Sequence, residues 1–240
     1  MIRQVRVGNV LLGGGNIAVQ SMTTTKTGDV EKSVAQILSL RDAGCDIVRV
    51  AVADEADARA LRGICGRVGV PVVADVHFSA KLAVLAVENG ADKLRINPGN
   101  IGGEREVALV ADCVKAHHVP VRVGANTGSI EKKHLEEYGR SAEALVLSAL
   151  DNVAVLEKHG VQDIVVSVKA SDVPLTVEAY TLLRSRCDYP LHLGVTEAGT
   201  QHMGIVKSSI GIGSLLLAGI GETIRVSLSA DPVEEVYAAH

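Results

Sequence analysis

Short apolar runs alternate with stretches of helical periodicity along the 240 residues of the chain. The runs are IAVQSM (17–22), DIVRVAV (46–52), PVVADVH (71–77), KLRINP (93–98), PVRVGAN (120–126), DIVVSVKA (163–170), LHLGVTEA (191–198) and TIRVSLSA (223–230). Between them, 29–43, 54–67, 79–89, 104–117, 141–159, 174–186 and 205–218 carry apolar residues three and four apart, the mark of a helix with one buried face. Asp29, Asp54, Ser79 and Ser141 stand where N-caps belong, and Gly44, Gly90 and Gly160 where helices should stop. Eight strands in strict β-α alternation predict an α/β fold closed as a parallel (β/α)8 TIM barrel. A doubly wound sheet is the rival, but no strand runs into a Gly-rich phosphate turn. VRVGNVLLGGG, near the start, reads as a small hairpin within residues 3–12 that plugs the bottom of the barrel. Asp231 and Pro232 begin a last helix of about two turns, either an unusually short one or the sign of a fragment.

Composition sharpens this picture. Hydrophobic residues make up 47% and aromatics only 2%, so the core must be Val, Ile, Leu and Ala, as in strands buried on both faces. A net charge of -4, with no basic run or aromatic platform, argues against a nucleic-acid partner. No secretory core or membrane-spanning run is present. Cys45, Cys65, Cys113 and Cys187 are widely spaced, the pattern of reduced thiols in a cytoplasmic protein, and form neither a zinc nor an iron–sulfur signature.

The strand ends carry the chemistry. Arg49, Arg95, Arg122, Lys169 and Arg225 lie inside or late in apolar strands, and Asp75, His77, Asn97, Asn126 and Glu197 close them. In a β/α barrel these positions converge on one mouth. Several cations at one mouth of an acidic protein make an anion pocket, and their number suits a diphosphate. The bland alternative is internal pairing, with Asp75 and Glu197 neutralising two of the cations. Asp75 and His77 share a face and fit acid/base or metal chemistry; Glu197 is the candidate general acid, with a salt bridge to Lys169 or Arg225 as its alternative. Lys207 and Ser208 follow the seventh strand, where barrels often hold phosphate on a helix N-terminus. His117, His118, His134 and His159 read as solvated. GCDIVRV, GADKLRI and GETIRVS repeat Gly, an acid, and an Arg three residues after the acid.

AVQSMT, ADVHF, KLRINPGNIG, VSVKASDVPLTVEAY, YPLHLGVTEAG, VKSSIGIG and ETIRVSLSADPVEE, taken in order, resemble the 4-hydroxy-3-methylbut-2-enyl diphosphate synthase family from Arg3 to Glu235. The resemblance implies reductive opening of 2-C-methyl-D-erythritol 2,4-cyclodiphosphate in the methylerythritol phosphate route to isoprenoids, in the bacterial cytoplasm. It implies a [4Fe-4S] cluster, electrons from flavodoxin or ferredoxin, and a homodimer. Arg49, His77, Arg95, Arg122, Lys169 and Ser227 match diphosphate-binding positions of the family, Asn97 and Asn126 its polar shell, and Glu197 its proton-transfer acid. The family's cluster ligands belong to a second domain after the barrel that this sequence lacks, so residues 1–240 are expected to be the substrate-binding barrel, with no metal ligands and no reductase activity alone. Thr24, Ala125, Thr127 and TQHMG (200–204) depart from the family pattern, and His202 stands where a basic contact is expected. Three other readings stay open: a split enzyme whose cluster domain is supplied by a separate chain, a pterin barrel like dihydropteroate synthase, and a non-catalytic sensor of a diphosphate ligand.

Overall fold

Two short strands come first, β1 (Val5–Val7) and β2 (Val10–Leu12), paired antiparallel. Their buried valines and Leu12 pack against Ala18, Ile47, Val73 and Val165, sealing one end of a barrel as the hairpin reading expects. The computed structural model describes residues 1–240. β3 (Ala18–Met22), β4 (Ile47–Ala51), β5 (Val72–Asp75), β6 (Lys93–Arg95), β7 (Val121–Asn126), β8 (Ile164–Lys169), β9 (His192–Leu193) and β10 (Thr223–Ile224) form one parallel sheet in the order β8-β7-β6-β5-β4-β3-β10-β9. A parallel bridge between Val166 and Leu191 joins its two ends, so the sheet closes. No helix is long and apolar enough to cross a membrane.

The helices are α1 (Val30–Asp42), α2 (Glu55–Val68), α3 (Ala80–Glu88), α4 (Glu104–His117), α5 (Lys132–Tyr138), α6 (Ala142–Lys158), α7 (Val173–Arg186), α8 (Gln201–Leu217) and α9 (Pro232–Ala239). Asp29, Asp54, Ser79 and Ser141 each cap a helix, accepting the backbone N–H three residues on. Gly44, Gly90 and Gly160 follow helices with φ of 101°, 98° and 76°, a region closed to side chains without strain. Asp231 caps α9.

Four expectations need correction. The last two strands are far shorter than 191–198 and 223–230. Their backbones leave the ladder after Leu193 and Ile224. α5 was not foreseen, because KKHLEEY buries no residue and so shows no apolar stripe. α8 begins at Gln201 rather than 205: Gly204 N donates to Thr200 O, and TQHMG is its first turn. His134 is not solvated; its Nε2 lies 2.6 Å from Asp151 Oδ2.

The Gly-acid-Arg repeat has a structural meaning that the repeat alone did not disclose. Asp46 accepts Val19 N at 2.8 Å, Asp92 accepts Val72 N at 2.8 Å, and Glu222 accepts Leu191 N at 2.5 Å. Each acid ties its strand to the start of a neighbour at the sealed end. Three residues later the chain delivers Arg49, Arg95 or Arg225 to the open end.

Gly124 faces Ser167 in register, and a Cβ there would lie 2.0 Å from the Ser167 carbonyl oxygen. We expect Gly124→Ala to destabilise the barrel by about 3 kcal/mol in urea unfolding, because backbone cannot yield as a side chain can. Gly66→Ala, in the exposed interior of α2 with nothing within 4 Å, should instead stabilise it by about 0.5–1 kcal/mol.

Candidate functional site

Strand alternation decides what lines the open mouth. Ala18, Ile47, Val73 and Val165 face inward onto the hairpin plug. Two residues further along each strand the same face carries Gln20, Arg49, Asp75 and Ser167, and two further still Met22 and Lys169. Parallel register extends the face to Lys93 beside Val73, Arg95 beside Asp75, Arg122 beside Arg95, and Thr223 beside Ala18 and His192. Arg225 follows Thr223 by two. Arg49, Lys93, Arg95, Arg122, Lys169 and Arg225 therefore converge on one chamber.

Two carboxylates answer them. Asp75 lies 3.5 Å from Arg49 Nε, 3.1 Å from Arg95 Nη1 and 3.5 Å from His77 Nε2. Burial works to raise its pKa, but the His77 hydrogen bond and the charges of Arg49 and Arg95 outweigh it and hold the carboxyl well below the usual range. Arg225 pairs not with Glu197, as one expectation had it, but with Glu235 of α9, at 3.1 and 3.2 Å. Glu197 is exposed at the lip, pairs with no cation, and holds φ of 50°.

Arg122 and Lys169 have no such answer. Arg122 is only 5% exposed, and its buried Nε has no hydrogen-bond partner. Burial, with Arg49 and Arg95 nearby, pushes its guanidinium well below its ordinary value. Burial, with Arg122 and Arg225 beside it, does the same to the Lys169 ammonium. Gly194 makes the space for Lys169, since a Cβ there would stand 2.6 Å from its Nζ. One level down, Lys93 is fully buried with a single bond to Gln20 Oε1 at 3.3 Å, and burial brings its ammonium down to about 7. His192, Thr223 and Gln20 Nε2 around it also lack partners. A buried cation left unpaired costs several kcal/mol, so the free barrel holds an excess of unanswered positive charge here.

The remaining predicted residues fall into three groups. Asn97 and Asn126 do reach the lip, but each oxygen is occupied by a local turn: they accept Gly99 N at 3.0 Å and Gly128 N at 2.9 Å. Only their amide nitrogens remain as donors toward a ligand. Ser227 lies half-buried after β10, two residues beyond Arg225. Lys207 and Ser208 do not stand at a helix N-terminus. The earlier start of α8 puts them in its second turn, where the backbone N–H groups are spent within the helix; Ser208 is buried with its hydroxyl unpaired. Asp75 and His77 offer no open metal pair, because Arg95 Nη1 lies 3.1 Å from both the carboxylate and the imidazole.

Three participants were missed. Lys93 and Gln20 were legible in principle, being two residues before Arg95 and two before Met22 on the inward face. Glu235 was legible too, since in α9 it shares the buried side with Pro232 and Val236.

The four cysteines do not come together. They stand before β4, on α2, on α4 and after α7, and no three thiols share a ligand shell. Burial drives Cys45 up to about 11 and Cys65 up to about 12, and raises Cys113 and Cys187 as well. Such thiols resist the thiolate form that cluster iron requires. Glu131, His134 and Asp151 converge, but Lys133 Nζ sits 2.6 Å from Asp151 and fills that role.

Comparison with known proteins agrees with this architecture. A family model described as the GcpE TIM-barrel domain matches residues 2–240. The chain is 55% identical over 238 residues to 4-hydroxy-3-methylbut-2-en-1-yl diphosphate synthase (flavodoxin) of Caldanaerobacter subterraneus subsp. tengcongensis, covering 98% of this chain and 67% of that protein. It is also 55% identical to the protein of the same name from Anoxybacillus flavithermus, covering 99% and 66%. It thus spans about two thirds of the length of these relatives. Dihydropteroate synthase from Stenotrophomonas maltophilia superposes with a TM-score of 0.64 at 17% identity, covering 98% of this chain and 95% of that one, a likeness of fold alone.

The free chain should gain stability as pH rises from about 7 to about 10.5. Over that window the unfolded chain carries the Lys93 proton and the folded one does not. Urea unfolding of Lys93→Met across this range should show a flatter pH dependence than the wild type. An identical slope would mean that Lys93 stays charged when buried.

Proposed function

Because the chain belongs to the GcpE TIM-barrel family, we propose that it is the substrate-binding barrel of a 4-hydroxy-3-methylbut-2-en-1-yl diphosphate synthase and takes 2-C-methyl-D-erythritol 2,4-cyclodiphosphate into its mouth. The observation that carries this reading is Arg122, buried with its Nε unpartnered, and the half-buried Lys169 beside it, next to the braced Arg49, Arg95 and Arg225. A diphosphate supplies the oxygens that these donors lack, and guanidinium forks match it in shape. Asn97 and Asn126 offer amide nitrogens, and Ser227 a hydroxyl, to the ligand's remaining oxygens.

In this reading the closed, sealed barrel excludes water from below, and the fixed cations orient the ring without reorganising when it binds. Glu197, at the lip, holds or delivers a proton on the ring's solvent side. The [4Fe-4S] cluster expected from the resemblance does not fit the thiols of this chain, and no step is derived through it. Ring opening by two electrons from a flavodoxin-type donor, and a homodimer, belong to the complete enzyme under the same proposal.

Calorimetric titration with the cyclodiphosphate tests it. The wild-type chain should bind, and Arg122→Ala should lose about 3 kcal/mol of binding, roughly 100-fold. The same substitution should raise the thermal midpoint of the free chain, because it deletes an unpaired buried charge. Absence of wild-type binding, or binding unaffected by Arg122→Ala, would overturn the proposal.

A further inference from the structure

Glu235 lies outside the ring of strand ends, on the helix that follows the last strand, yet it is 4% exposed and reaches into the mouth's wall. Its carboxylate accepts from Arg225 Nε and Nη2 at 3.2 and 3.1 Å, from Ser21 Oγ at 2.9 Å, and from Leu228 N at 3.1 Å. The seam it spans is short: β10 meets β3 only through Thr223 and Ile224. Beyond Ile224 no ladder bond to β3 holds the chain that bears Arg225 and Ser227 on that side. Glu235 takes over, fixing the Arg225 guanidinium from its side chain and the Ser227–Leu228 backbone from its N–H, and anchoring both to Ser21 of β3.

We propose that Glu235 is a positioning residue for anion binding: it sets Arg225 and Ser227 in the geometry that meets the diphosphate. This rests on the reading of the mouth given above. Charge alone would act the other way, since removing a carboxylate makes the mouth more positive and tightens anion binding. The direction of the effect therefore separates positioning from charge balance.

The test is calorimetry of the cyclodiphosphate, with inorganic diphosphate as a second probe, on the wild type, Glu235→Gln, Arg225→Ala and the double variant. Glu235→Gln should bind about tenfold more weakly, and its effect should vanish in the Arg225→Ala background. Its binding should also fall less steeply with salt, by about one charge, a readout that general loosening of the fold does not move. Tighter binding, unchanged binding, or a loss that persists in full without Arg225 would overturn the assignment. Should Glu235→Gln not fold, Ser21→Ala removes one of the four bonds and is read the same way, with about threefold weaker binding expected only when Arg225 is present. A wild type that binds neither probe overturns the reading of the mouth and this inference together; a wild type that binds, with variants that match it, overturns this inference alone.

Discussion

An ion taken out of water must find its opposite charge nearby, or the fold carries the deficit as lost stability. Six cations converge inside this barrel, and only Asp75 and Glu235 meet them. The two carboxylates brace Arg49, Arg95 and Arg225 in fixed orientations. Arg122 Nε is buried without a partner, and Lys93 has only an amide. Under the function proposed above, the arrangement is a receptor already shaped for an anion, in which the ligand supplies the missing charge. The free protein gives up stability for readiness, a trade common where function demands strained or unpaired groups.

The rest of the structure supports that chamber from below and around. The hairpin and the valine layer close the bottom, so the cations face one opening. Asp46, Asp92 and Glu222 tie strand starts to their neighbours, and the arginines three residues later then fall at one level. Gly124 and Gly194 thin the walls where Ser167 and Lys169 need room. Apolar packing and charge placement are thus two outcomes of one repeated β-α unit.

Much of this was legible in the sequence because it depends on period. The alternation of short apolar runs with helical stretches gave the barrel, and Asp, Ser and Gly gave the helix boundaries at α1, α2, α3 and α6. Cations inside apolar strands pointed to one mouth, and the internal pairing of Arg49 and Arg95 with Asp75 was legible beside it. What escaped depends on distance rather than period. The partner of Arg225 is ten residues away around a turn, so the strand-end acid Glu197 was named and Glu235 was not. The start of α8 escaped because Gln201–Gly204 has no apolar stripe, and with it went the helix N-terminal role for Lys207 and Ser208. The lengths of β9 and β10 escaped because strand propensity continues past Leu193 and Ile224, where the ladder ends.

The central claim is that the buried cations lack their counter-charge until an anion is bound. Calorimetry of the cyclodiphosphate at pH 8, in two buffers of different ionisation enthalpy, tests it most directly. The account predicts net proton uptake on binding, because burial brings the Lys93 ammonium down to about 7 in the free barrel and an anion restores its charge. Binding with no proton uptake would show that Lys93 already holds its proton in the free barrel, and would contradict it.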